Sequence, residues 1–447
     1  MPALSAQALV SLVLLDLAVI LAVARSVGTL CAGIGQPRVV GEILAGVLLG
    51  PTLLGPTLWP EFTGSALLHC MIQPGAQLGM PTSPTSCLFP APARAVIGQL
   101  GQLGLLLFSF LTAVELDRAS LRSRAPGIAL VGPGSVLLPI AIGIPLGAVL
   151  ATGVFKPASA SMPGFALFVG VMLAATALPV MVRILQERGL SRSPLGCTGI
   201  AASAVATLGL FIAASIASSI ATGTGGAVQA LGLAAGYLGL MLVVVRPLLA
   251  RFARQPRAGG VGSLAWVLVL VFASGLAAQL AGLTVIVGGF LAGLVLPAQT
   301  AAHCAVEQRL GELTRSVLLP IFLAFSGLQT DLTAVPVAAY GGLALLLVAG
   351  LVSKWGGGAV LARLSGLSWA ESNVLGILMN CPGVIVLVVA LVGLQNGVIT
   401  PALQAGVVLV ALIATAMTGP LLNVYLPRLP ATSLIAVAPP PVRRLRA

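Results

Sequence analysis

Apolar residues run along this chain in long blocks, without the strict alternation of a half-buried strand or the one-sided stripe of a water-facing helix. Reading the blocks between polar breaks predicts thirteen membrane-spanning helices, near 8–30, 39–58, 96–116, 126–152, 164–185, 197–222, 229–250, 261–280, 283–298, 316–329, 334–355, 370–394 and 400–426. A span through the hydrocarbon needs about 20 apolar residues, so thirteen of them take up roughly 260 residues. The remainder forms short loops, a longer loop at 59–95 and a flexible tail at 428–447. No small-residue cleavage site follows the first block, which is therefore read as a retained helix rather than a leader. The expected fold class is an all-α polytopic membrane protein.

Composition agrees. Of 447 residues, 58% are hydrophobic and 7% charged, against roughly 25% charged in soluble domains. That excludes a soluble enzyme, a disordered chain and a nucleic-acid binder. The net charge of +12 changes the picture only once its positions are read. With the N-terminus outside, the inside loops hold Arg25 and Arg38 after span 1, Arg118, Arg122 and Arg124 after span 3, and Arg183, Arg188 and Arg192 after span 5. Arg246, Arg251, Arg254 and Arg257 follow span 7, Arg309 and Arg315 span 9, and Lys354 and Arg363 span 11. With four arginines in the tail, 20 of the 22 basic residues fall on one side, and only Arg94 and Lys156 on the other. The positive-inside rule then predicts a multi-pass protein of the cytoplasmic (inner) membrane, N-terminus outside and C-terminus cytoplasmic. Membrane lipid is an expected partner, with anionic inner-leaflet lipid a secondary contact.

The six cysteines show no CxxC or Cys/His spacing, so neither a metal site nor a cofactor is expected. Cys70 and Cys87 share the outside loop, where a disulfide and two free thiols are both open.

Four stretches are more specific than hydropathy: Gln36–Gly55 (QPRVVGEILAGVLLGPTLLG), Leu103–Asp117, Ala175–Gly196 (ATALPVMVRILQERGLSRSPLG), and the set Leu319–Leu332, Ser365–Gly383 and Thr415–Leu422. In order and spacing they resemble the monovalent cation:proton antiporter superfamily, specifically its bacterial sodium/hydrogen exchanger-like branch. The resemblance covers about residues 8–427. It implies two inverted repeats, 1–222 and 261–427, joined by a linker at 223–260 that carries span 7. It also implies a homodimer with a dimerisation domain and a mobile core domain. The residues support the repeat independently. Thr176-Ala177-Leu178-Pro179 interrupts span 5, and Met379-Asn380-Cys381-Pro382 interrupts span 12, seven spans later. Matched breaks in two halves point to a transporter's substrate site.

Charge at that site is unusual. The resemblance implies a midplane Asp pair on the next helix, which alignment through Ser193-Pro194-Leu195-Gly196 brings to Ala206 and Thr207. It also implies an Arg and a Glu after the Met-Asn motif, where Pro382 and Val386 stand. Of the ten acids, only Asp16 sits well inside a span, on helix 1, and is an intramembrane candidate. Glu42, Glu115, Asp117 and Glu371 are expected near inside helix ends, in reach of water and of Arg38, Arg118 and Arg363. The candidate substrate-binding residues are Thr176, Pro179, Ser203, Thr207, Asn380 and Cys381. Ser203 and Thr207, four apart, share a helix face. None of these titrates usefully, which disfavours ordinary cation/proton exchange.

The sequence therefore predicts an alternating-access transporter for a neutral or amphipathic small molecule. Two alternatives stand beside it: a transporter scaffold acting as a membrane-embedded enzyme on a hydrophobic intermediate, and a non-transporting pseudo-transporter with a regulatory role. No nucleophile–base pair, HExxH or phosphate loop supports catalysis, and no catalytic residue is assigned.

Overall fold

A computed structural model describes residues 6–56, 58, 83–114, 125–191, 193–222, 227–252, 264–297, 309–383, 385–430 and 433. Every regular element among them is helical. The apolar blocks become α1 (Ala6–Gly33), α2 (Arg38–Leu49), α3 (Ala91–Val114), α4 (Ala125–Val149), α5a (Met162–Ala174) with α5b (Leu178–Glu187), and α6 (Pro194–Thr222). The second set is α7 (Ala227–Gly239, continued through Leu240–Val245 into Arg246–Phe252), α8 (Leu264–Leu280), α9 (Val285–Val295), α10 (Arg309–Leu328) and α11 (Val337–Leu364). It closes with α12a (Trp369–Met379), α12b (Ile385–Gln395) and α13 (Pro401–Tyr425).

Local chemistry sets the boundaries. Ser161 caps α5a by accepting from the Gly164 amide, with Pro163 in the first turn, where its missing N–H has no helical partner to lose. Ser368 and Glu371 form a reciprocal capping box at the start of α12a. Thr400 caps α13 ahead of Pro401. Three helices carry a π-helical turn, Leu240–Val245, Thr314–Leu318 and Leu351–Gly356. Such turns are rare and recur at functional sites.

One boundary departs from the sequence reading. Span 11 was expected to end near 355, leaving Lys354 in a cytoplasmic loop. The helix instead runs on to Leu364, and Lys354 lies inside it, buried, within the π turn. A lone charge followed by Gly356-Gly357-Gly358 reads as a helix end. Here the small residues are packing devices: a Cβ on Gly358 would sit 3.3 Å from the Gly376 Cα of α12a. Removing Lys354 from the inside count leaves the charge asymmetry intact.

The helices pack in two groups. α1, α2, α3, α8, α9 and α10 form one; α4, α5a, α5b, α6, α11, α12a, α12b and α13 form the other. Backbones approach closely through small residues, as expected where lipid offers no hydrophobic drive between helices. A Cβ on Gly46 of α2 would run into the Ala324 carbonyl of α10, and one on Gly288 of α9 would lie 2.6 Å from the Gly275 Cα of α8. Gly46→Val therefore forces α2 from α10 and should destabilise the fold by about 1–3 kcal/mol, the usual cost of overpacking. Thermal unfolding in detergent measures it, and an unchanged midpoint would contradict this packing.

Candidate functional site at the crossing of two broken helices

Two helices of the second group lose their regular backbone in mid-course. Between α5a and α5b, residues 175–177 are extended; between α12a and α12b the helix stops at Met379 and resumes at Ile385. Each break frees backbone groups that must be satisfied internally in the absence of water. They satisfy one another. The Ala177 N–H donates to the Cys381 carbonyl at 2.7 Å. The Thr176 hydroxyl donates to the Met379 carbonyl at 3.2 Å. Lys354 of α11 supplies the third link, its Nζ donating to the Ala175 carbonyl. Cys381 Sγ and Thr418 Oγ1 of α13 lie 3.3 Å apart. Pro179 stands in the first turn of α5b, where it starts the second half-helix.

A small cavity of about 40 Å³ adjoins this crossing, lined by Lys354, Asn380, Pro382 and Val386 among apolar side chains. That is room for a water molecule or a small ion. The Asn380 side chain lines this space and has no hydrogen-bond partner among the described residues. Pro382 and Val386 are the positions where the family resemblance implies an Arg and a Glu, so the basic group here comes from α11. No salt bridge engages Lys354 among the described residues. The sequence reading missed Lys354 because hydropathy treats a charge as the end of a span.

Ser203 and Thr207 are both buried on α6, and the Thr207 hydroxyl donates back to the Ser203 carbonyl at 2.8 Å. The Ser203 hydroxyl is buried without a partner. No hydrogen bond joins either residue to Thr176, Asn380 or Cys381. Thr207 instead lines a second cavity, about 590 Å³, between α4, α5b and α6 on one side and α7 and α9 on the other. Its walls are Ala, Val, Leu, Ile and Phe, and Thr207 contributes the one polar side chain. The sequence-selected residues thus divide into a polar crossing and the wall of an apolar chamber. Volume and lining suit a drug-sized apolar molecule.

Asp16 is buried on α1, in the other helix group, away from the crossing. Glu42 is corrected: α2 buries it, and its partner is Arg183 of α5b at 3.6 Å rather than water and Arg38. Arg183 also pairs with Glu187 at 3.3 Å. Glu115, Asp117 and Cys70 lie outside the described residues, as does the side chain of Cys87. Cys31, Cys197 and Cys381 are buried and form no disulfide with a described residue.

Two half-broken helices crossing through their own backbone, within an all-helical bundle, define a secondary-transporter fold. The family model described as "Sodium/hydrogen exchanger, transmembrane" matches residues 18–426. The chain belongs to that family. It is 31% identical over 417 residues to the Na(+)/H(+) antiporter NhaS4 of Synechocystis, covering 92% of this chain and 96% of that protein. It is also 31% identical over 439 residues to cation/H(+) antiporter 20 of Arabidopsis thaliana, but spans 49% of that longer protein. Among solved structures, the sodium proton antiporter MjNhaP1 of Methanocaldococcus jannaschii superposes with a TM-score of 0.60 over 96% of this chain at 15% identity.

The Lys354 amine closes the crossing from α11. Lys354→Ala strands the Ala175 carbonyl, at a cost of about 1–3 kcal/mol for an unsatisfied buried group. Labelling of Cys381 by a membrane-permeant maleimide should accelerate in this variant, and labelling at the wild-type rate would contradict the link.

Proposed function

We propose that the protein is an alternating-access transporter whose cargo is a neutral or amphipathic, largely apolar molecule rather than a bare sodium or potassium ion. The chamber that carries this reading is the 590 Å³ space between the two helix groups, where Thr207 alone offers a polar side chain. A dehydrated cation needs several oxygen ligands and a compensating charge in a low dielectric, and that wall offers one hydroxyl. An amphipathic solute needs only an apolar chamber and a few polar anchors. At the crossing the titratable group is Lys354, a base, and beside a metal cation an ammonium repels. The positive-inside count supports an N-terminus outside and a C-terminus in the cytoplasm.

The second reading is cation/proton antiport, and it rests on two observations. The relatives are named as Na(+)/H(+) and cation/H(+) antiporters. Lys354 supplies a titratable amine at the crossing, so proton coupling does not need the Asp pair. Proteoliposomes separate the readings. Collapse of an imposed pH gradient on adding sodium or potassium should match protein-free vesicles. An environment-sensitive apolar dye should bind the purified protein, and Ala204→Phe, which fills the chamber, should weaken that binding at least tenfold. Cation-driven collapse that Lys354→Gln abolishes, with no dye bound, would assign the function to antiport.

A further inference from the structure

A third cavity, about 790 Å³, opens at the Arg-rich end of the bundle, far larger than the space at the crossing and different in chemistry. Four arginines line it: Arg38 at the start of α2, Arg183 of α5b, Arg188 at that helix's C-cap, and Arg315 in the π turn of α10. Glu187 is the single carboxylate in the wall. It is already committed, ion-paired with Arg183 at 3.3 Å and accepting from the Arg38 backbone amide at 3.1 Å. Glu42, buried behind the wall, faces Arg183 as well. Both carboxylates thus pair with Arg183. Arg188 finds a neutral partner, the Asn423 side-chain oxygen of α13 at 2.5 Å. Among the described residues, the Arg38 guanidinium has no hydrogen-bond or ion-pair partner. Gln36 adds an amide whose Oε1 is buried without a partner; turned over, that amide presents its NH₂ as a donor instead.

We infer that this cavity is a binding site for a phosphoryl-bearing anion, held by Arg38 and Arg188 against the α1–α2 turn. Guanidinium forks match phosphate oxygens in pairs, and neither the Arg38 nor the Arg188 guanidinium has an acidic partner among the described residues. The volume admits a phosphorylated small molecule or a lipid headgroup. The position gives the site a consequence. Arg38, Gln36 and Arg315 belong to one helix group, and Arg183, Arg188 and Asn423 to the other. An anion bridging them holds the two groups in one relation, which makes it a regulator of any movement between them.

The test uses the full chain in detergent and in nanodiscs, with inorganic pyrophosphate and ATP as soluble probes and phosphatidic acid against phosphatidylcholine as the lipid pair. At least one phosphoryl source should raise the unfolding temperature and bind measurably, more weakly as salt rises. Arg38→Gln and Arg188→Gln should each weaken that binding about tenfold. Glu187→Gln keeps the side chain's size and one acceptor oxygen but loses the wall's one negative charge, and should strengthen binding several-fold, an outcome that a misfolded variant does not give. Binding of pyrophosphate or ATP assigns a soluble ligand; a response confined to phosphatidic acid assigns a lipid headgroup. No response to any probe, or binding that all three variants leave unchanged, overturns the proposal.

Discussion

The fold turns on one constraint: two helices broken in mid-membrane must satisfy each other's backbone. Without water, the groups released at residues 175–177 and 380–383 have partners only where the breaks meet. The Ala177–Cys381 and Thr176–Met379 bonds tie the halves, and the Lys354 amine adds the third link from α11. Everything around the crossing is shaped by that need. α11 passes close enough to deliver its lysine because Gly358 and Gly376 let it lie against α12a. α13 brings Thr418 to the Cys381 thiol.

The crossing belongs to one helix group, and the two larger cavities lie where that group meets the other. Their chemistry is opposed. One is walled by hydrocarbon with a single hydroxyl, the other by arginines. Two packed groups joined by small-residue contacts within each, and by cavities between them, fit rigid-body rocking better than deformation of a continuous core. Residues of both groups line each cavity.

Much of this was legible in the residues. Length and apolarity gave thirteen blocks that all reappear as helices, because in lipid a long apolar segment has few other ways to satisfy its backbone. Pro179 and Pro382 marked the two breaks, since proline removes a donor wherever it falls. The candidate site was half legible. Thr176, Asn380 and Cys381 do meet at the crossing, but Thr207 faces the apolar chamber. Four-residue spacing shows that Ser203 and Thr207 share a face of α6, not which neighbour that face meets.

What the sequence determined alone was class, span positions and the asymmetry of charge, all properties that need only local composition and a hydrocarbon solvent. Tertiary structure decided which charges are inside. Lys354 looks like a loop residue, and Glu42 like a residue in reach of water, until the packing of α11 on α12a and of α2 beside α5b buries them. A charge is tolerated in the membrane only with a partner or an acceptor. Those partners, the Ala175 carbonyl for Lys354 and Arg183 for Glu42, lie 179 and 141 residues away in the chain. No local pattern reports a contact at that separation, so the fold alone could supply it.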